Sequence, residues 1–147
     1  MTGTLYVESS ALVQAVTGAD ASLQVLLSDA PLVTSALTIL ETARAIARLR
    51  REKSLTPAHA READRRLAAF ERAAFIRAID DEVLEFARRE FPVEHVRSLD
   101  AIQLATAVLC DRDLSGPDGG PLTVLCCDHR VRDNATALGI PVLPPIA

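Results

Sequence analysis

Near the end of the chain the run LTVLCC, Leu122–Cys127, carries no charge, and the segment GPDGGP, Gly116–Pro121, closes it off as a loop on its N-terminal side. An apolar run of that length, bounded by turn residues, marks a strand buried on both faces, and such strands belong to parallel sheets covered by helices. The remaining segments alternate to match. Leu5–Val7 predicts a strand, followed by a helix from Ser10 to Val16. Pro31–Thr34 predicts a second strand, leading into a helix to Arg51 with Leu37, Leu40, Ala43 or Arg44, Ala47 and Leu49 near one stripe. Lys53–Thr56 is a break, and Pro57 suits the first turn of a helix to Ala73 with Thr56 as its cap. Phe75–Ile79 predicts a third strand, and Asp80 and Asp81 open a helix through Glu90 that Pro92 ends. Ser98 is expected to cap a helix to Cys110. A helix from Arg130 to Leu138 stops at Gly139, and Ile140–Leu143 forms a short strand that Pro141 confines to an edge or a strand start. The expected fold is α/β, three layers α/β/α around a mainly parallel sheet.

With 147 residues, 49% of them hydrophobic, the chain suits a single domain over residues 1–147 with a sizeable core. No apolar run has the length of a membrane span, and the basic and apolar regions of a secretory signal are missing, so a cytoplasmic protein is expected. Three cysteines, two of them adjacent, make neither a disulfide framework nor a zinc spacing and are expected to be reduced thiols. His59, His95 and His129 form no ligand-spaced group, and neither a phosphate-binding P-loop nor a nucleophile elbow is present. The net charge of -4 excludes a generally basic coat for nucleic acid. It hides an asymmetry: residues 42–72 hold nine Arg or Lys against four Asp or Glu. Such a segment either steers a polyanion toward an acidic site or forms a solvated helix face.

Four acids recur at equivalent places. Glu8 follows the first strand, Glu41 lies in the helix after the second, Asp100 opens a helix, and Asp128 follows the strongest strand. Ligand crevices of open parallel sheets lie beyond the carboxyl ends of the strands, so at least Glu8, Glu41 and Asp128 can converge there. Three of the four have a local explanation as well. Glu41 completes a capping box with Thr38, Asp100 favours a helix N-terminus, and Asp128 can cap the last helix. Glu8 has the weakest such explanation, because glutamate caps poorly and two serines stand beside it. Carboxylates crowded at one edge repel unless a cation neutralises them, and a hard, oxygen-preferring ion, Mg²⁺ or Mn²⁺, suits them. Such a site implies phosphodiester hydrolysis.

The blocks YVESSALV, SALTILETARAI, VRSLDAIQLATA and TVLCCDHRVRDNATALGIPVL, in this order, resemble a PIN-domain ribonuclease of the VapC toxin type. The resemblance implies a three-layer α/β/α fold, a Mg²⁺- or Mn²⁺-dependent endoribonuclease, and inhibition by a small antitoxin. It implies Glu8, Glu41, Asp100 and Asp128 as the catalytic acids, with Ser10 and Asp133 in support. It further implies a homodimer acting on RNA, and many such toxins cut structured RNA such as transfer RNA. Two positions depart from the family pattern: Glu8 stands where aspartate is usual, and Gln103 where histidine is common. In this scheme Glu8, Asp100 and Asp128 ligate the ion, Glu41 orients or deprotonates water, and the products carry 5′-phosphate and 3′-hydroxyl ends. The rival scheme is a PIN-like binding module that lost metal competence through Glu8 and pairs only with a partner protein or RNA. A phospho-accepting receiver is disfavoured, since Lys53 is the only lysine.

Overall fold

The computed structural model describes residues 3–93, 96–114 and 121–144. His95 and residues 116–120 of the expected loop lie outside them. The elements run β1 (Leu5–Val7), α1 (Ser9–Thr17), α2 (Ala21–Ser28), β2 (Leu32–Ser35), α3 (Ala36–Arg51) and α4 (Pro57–Ala73). They continue with β3 (Phe75–Arg77), α5 (Asp81–Ala87), α6 (Ser98–Leu114), β4 (Thr123–Leu125), α7 (His129–Ala137) and β5 (Val142–Leu143). Every strand pair is parallel, in the order β3-β2-β1-β4-β5.

Strand residues alternate between faces, and β1 shows what that does to the core. Leu5 and Val7 join Leu12, Leu23, Ile46, Leu67 and Phe70 from α1 to α4 on one side of the sheet. Tyr6 joins Val83, Phe86, Leu104, Val108 and Val131 from α5, α6 and α7 on the other. The three expected layers follow from this division. Among the described residues, no single helix is long and apolar enough to cross a membrane.

The structure departs from the expected boundaries in ways that packing explains. Sequence patterning assigned nothing between Val16 and Pro31, yet α2 forms there, capped by Asp20 through the Ser22 N–H at 3.0 Å. Leu23 is its only buried residue, so the amphipathic signal is faint. The third strand stops at Arg77, at the sheet edge, with Phe75 67% exposed. Helix α5 ends at Ala87 rather than Glu90, while α6 runs past Cys110 to Leu114. Ser98 is the first helical residue of α6 and not its cap, because the Arg97 carbonyl already accepts the Ala101 N–H at 2.8 Å. Pro141 directly precedes the edge strand β5, as its missing N–H requires. All three cysteines are free.

The chain leaves β1 toward β2 and β3, then returns to lay β4 on β1's opposite side. The boundary between β1 and β4 is therefore the switch point of the sheet, where a crevice opens at the strands' carboxyl ends.

Candidate active site

Glu8 and Asp128 flank that switch point, just beyond β1 and β4. Contrary to the sequence argument, Glu8 is the N-cap of α1: its Oε2 accepts the Ser10 N–H at 2.8 Å, and the helix starts at Ser9 rather than Ser10. The same oxygen accepts a bond from the Ser10 hydroxyl and one from the Cys126 thiol at 3.2 Å. Glu8 is only 5% exposed. Burial pushes its carboxyl above the usual range, the bonds from Ser10 and Cys126 pull it back in part, and Asp128 adds repulsion in the raising direction.

Ser10 ties the two strand ends together. Its hydroxyl donates to Glu8 and accepts the backbone N–H groups of Cys127, at 2.8 Å, and Asp128, at 3.1 Å. Asp128 caps α7 as expected, with Oδ1 accepting from the Arg130 N–H at 2.9 Å and the Val131 N–H at 3.4 Å. Cys126 and Arg132 complete this corner, and sequence reasoning assigned a role to neither. Burial drives the Cys126 thiol far above its ordinary range, which keeps it protonated as the donor to Glu8. Arg132, 7% exposed, donates to the Cys126 carbonyl at 2.7 Å and the Pro144 carbonyl at 2.6 Å, holding the end of β4. Its only sequence signal was an arginine one turn into a helix that follows a buried strand.

Glu41 belongs to a different network. The expected capping box with Thr38 does not form: Ser35 caps α3 through the Leu37 N–H at 3.0 Å, and Thr38 already lies inside the helix. Instead Glu41 Oε1 accepts from the Ser9 hydroxyl at 2.7 Å and from Gln103 Nε2 at 3.2 Å. Gln103 Nε2 also donates to Ser9 at 2.9 Å and Thr38 at 3.0 Å, and its Oε1 accepts the Tyr6 hydroxyl at 2.6 Å. One buried amide thus joins β1, α1, α3 and α6 beneath Glu41. Asp100, one turn before Gln103 on α6, is 9% exposed and pairs through Oδ2 with the Arg97 Nε at 3.3 Å.

Asp133 is exposed on α7, and nothing among the described residues ties it to the other acids. His59 and His129 are exposed as well.

A PIN-domain family model matches residues 5–113, a span from the start of β1 to the end of α6. The chain belongs to the PIN-domain family. No curated protein matches. Among solved structures, the PIN domain resembles a chain of VapBC2 from Rickettsia felis bound to a DNA fragment from their promoter. The TM-score is 0.62 at 9% identity, over 95% of this chain and 96% of that one, a likeness of fold.

In this PIN domain each of the four acids spends one carboxylate oxygen on the fold and keeps the other. Glu8 Oε2, Glu41 Oε1, Asp100 Oδ2 and Asp128 Oδ1 carry the bonds described. Glu8 Oε1, Glu41 Oε2, Asp100 Oδ1 and Asp128 Oδ2 bond to no described residue. An all-oxygen donor set suits a hard divalent ion in type. Among the described residues, however, no three His, Cys, Asp or Glu groups converge as a ready cage. The donors fit such an ion, and the cage is not preassembled.

Proposed function

We propose that this PIN domain is a metal-dependent endoribonuclease toxin of the VapC type, restrained by a cognate antitoxin. The observation that carries this is the pair Glu8 and Asp128 at the switch point, with Glu41 bonded to Ser9 beside Glu8, each acid anchored through one oxygen with the other to spare. Family membership supports nuclease chemistry, and the likeness to VapBC2 supports an antitoxin partner. A homodimer, RNA such as transfer RNA as substrate, a single domain over residues 1–147 and a cytoplasmic location complete the proposal.

Glu8, Asp100 and Asp128 would hold Mg²⁺ or Mn²⁺, with Ser10 fixing Glu8 against the end of β4. The ion supplies positive charge to the phosphodiester and acidifies water. Glu41, immobilised by Ser9 and Gln103, offers Oε2 to orient the attacking water and take its proton. Water oxygen bonds to phosphorus, the bond from phosphorus to O3′ breaks, and O3′ takes up a proton from a solvent water as it leaves. The products carry 5′-phosphate and 3′-hydroxyl ends, and the ribose 2′-hydroxyl takes no part. Asp133, exposed and untied, is kept as a supporting acid only.

A second scheme, a binding module without turnover, draws on the burial of Glu8 and the three donors already on its Oε2. Incubating purified cellular RNA with the protein and Mg²⁺ or Mn²⁺, beside EDTA and an Asp100→Asn control, separates the two. Discrete fragments with 5′-phosphate ends that vanish in both controls establish the nuclease. A folded protein that cuts nothing with either ion but gains activity as Glu8→Asp shows that the longer side chain has silenced the site.

A further inference from the structure

Three arginines of the basic segment are ion-paired. Arg50 pairs with Asp64 at 2.8 Å, and Arg65 and Arg66 pair with Glu62 at 2.5 and 3.4 Å. These charges knit α3 to α4 or lie along α4 itself. Arg61 and Arg72 on α4 are exposed with no ion pair among the described residues, and so are three arginines on α3, Arg44, Arg48 and Arg51, whose side chains bond to no described residue. With Leu40, they follow steps of four, four and three residues, which places all of them on one helix face. The same face lines a groove of about 640 Å³ that also contains Glu41 and Leu99, the residue before Asp100. Unpaired positive charge thus begins one turn beyond Glu41 and runs away from it for about 10 Å along the helix axis.

We propose that Arg44, Arg48 and Arg51 form a ladder for the phosphates of a single RNA strand and lead it to Glu41. The proposal deepens the nuclease reading and rests on it for the identity of the strand. Each guanidinium presents a fork of donors matched to phosphate oxygens. Successive anchors lie about 6 Å or less apart along the axis, an interval that neighbouring phosphates of an extended strand can match. Leu40 and Leu99, 59% and 50% exposed, give the groove an apolar wall beside the acidic end, against which a base can rest. Charge decides between RNA and a second copy of the chain. A two-fold contact through this face would bring two sets of unpaired arginines together with Glu41 as the groove's only acid.

The test measures binding of a labelled short oligouridylate by fluorescence anisotropy in EDTA, across a salt series. The slope of log affinity against log salt is expected to shrink by about 0.7 for each of Arg44→Gln, Arg48→Gln and Arg51→Gln, and by about 2 for the triple variant. Arg50→Gln, whose partner is Asp64, is expected to leave the slope unchanged, and the triple Arg→Lys variant to keep it. A triple glutamine variant with the wild-type slope overturns the ladder. So does one that changes the oligomeric mass of the free protein while the slope stays, which would make the groove a self-interface. Because hydrolysis is absent in EDTA, the two readings fail separately. An arginine-dependent slope in a protein that never cuts RNA supports the ladder and removes the nuclease; cleavage beside an unchanged slope removes only the ladder.

Discussion

Glu8 loses most of its hydration on folding, and its carboxyl is held above the ordinary range mainly for that reason. A folded pKa above the unfolded one means that ionising Glu8 costs the fold stability, so this destabilisation appears as pH rises past about 4.3. Glu8→Gln, which keeps an oxygen for the Ser10 N–H, is therefore expected to melt higher than wild type at neutral pH. The gap should close as pH falls below about 4.3; a gap independent of pH in thermal melts would contradict the assignment. The proposed nuclease needs the ionised acid, and so its acid limb should lie above that of a free glutamate. Ser10→Ala strips the hydroxyl from two backbone N–H groups and from Glu8, at a cost of about 1–3 kcal/mol, read in denaturant unfolding. That Glu8 and Asp128 follow strands, that Asp100 opens a helix and that Glu41 lies in the second turn of α3 was legible in sequence. Their bonding was not, since the partners of Glu8 and Glu41 come from residues up to 118 positions away.

At the scale of elements, α7 does more than cover the sheet, because Arg132 reaches back to carbonyls at the ends of β4 and β5. Arg132→Met removes two charge-assisted bonds from a buried position and should cost on the order of 2–4 kcal/mol by chemical denaturation. Beyond stability, it should loosen the corner that carries Asp128, so activity is expected to fall further than thermal melting of the variant at assay temperature would explain. The strong elements were readable: the apolar run around β4, the Pro57 start of α4, and the Gly139 stop after α7. Helix α2 was not, because one buried leucine leaves no stripe to find. The over-long third strand has a related cause. Phe75 and Ile79 carry strand propensity, but an edge position gives their side chains little to pack against, with exposures of 67% and 37%.

For the molecule as a whole, parallel pairing of β1 with β4 brings together Glu8 and Asp128, which the sequence keeps far apart. The repulsion between Glu8 and Asp128 is a cost to the fold that a cation would relieve. Mg²⁺ or Mn²⁺ is accordingly expected to raise the melting temperature, with about 2.7 kcal/mol of stabilisation at a hundredfold excess over the dissociation constant. Asp128→Asn should reduce that shift, and Asp133→Asn should leave it, as measured by differential scanning fluorimetry with and without chelator. The charge asymmetry was visible in composition, yet its meaning was not. Only folding shows that Arg50, Arg65 and Arg66 are paired and that the arginines along the groove are not.

The strand order has a consequence for how the protein is made. β1 leaves the ribosome more than a hundred residues before β4, the strand that pairs with its far side. Until β4 emerges, one edge of β1 stays open, Ser10 lacks the backbone groups that it bonds, and Asp128 has not been synthesised. An unfinished chain therefore carries half a crevice and no working corner. Whatever the finished site does, the topology withholds it until β4 and α7 have been made.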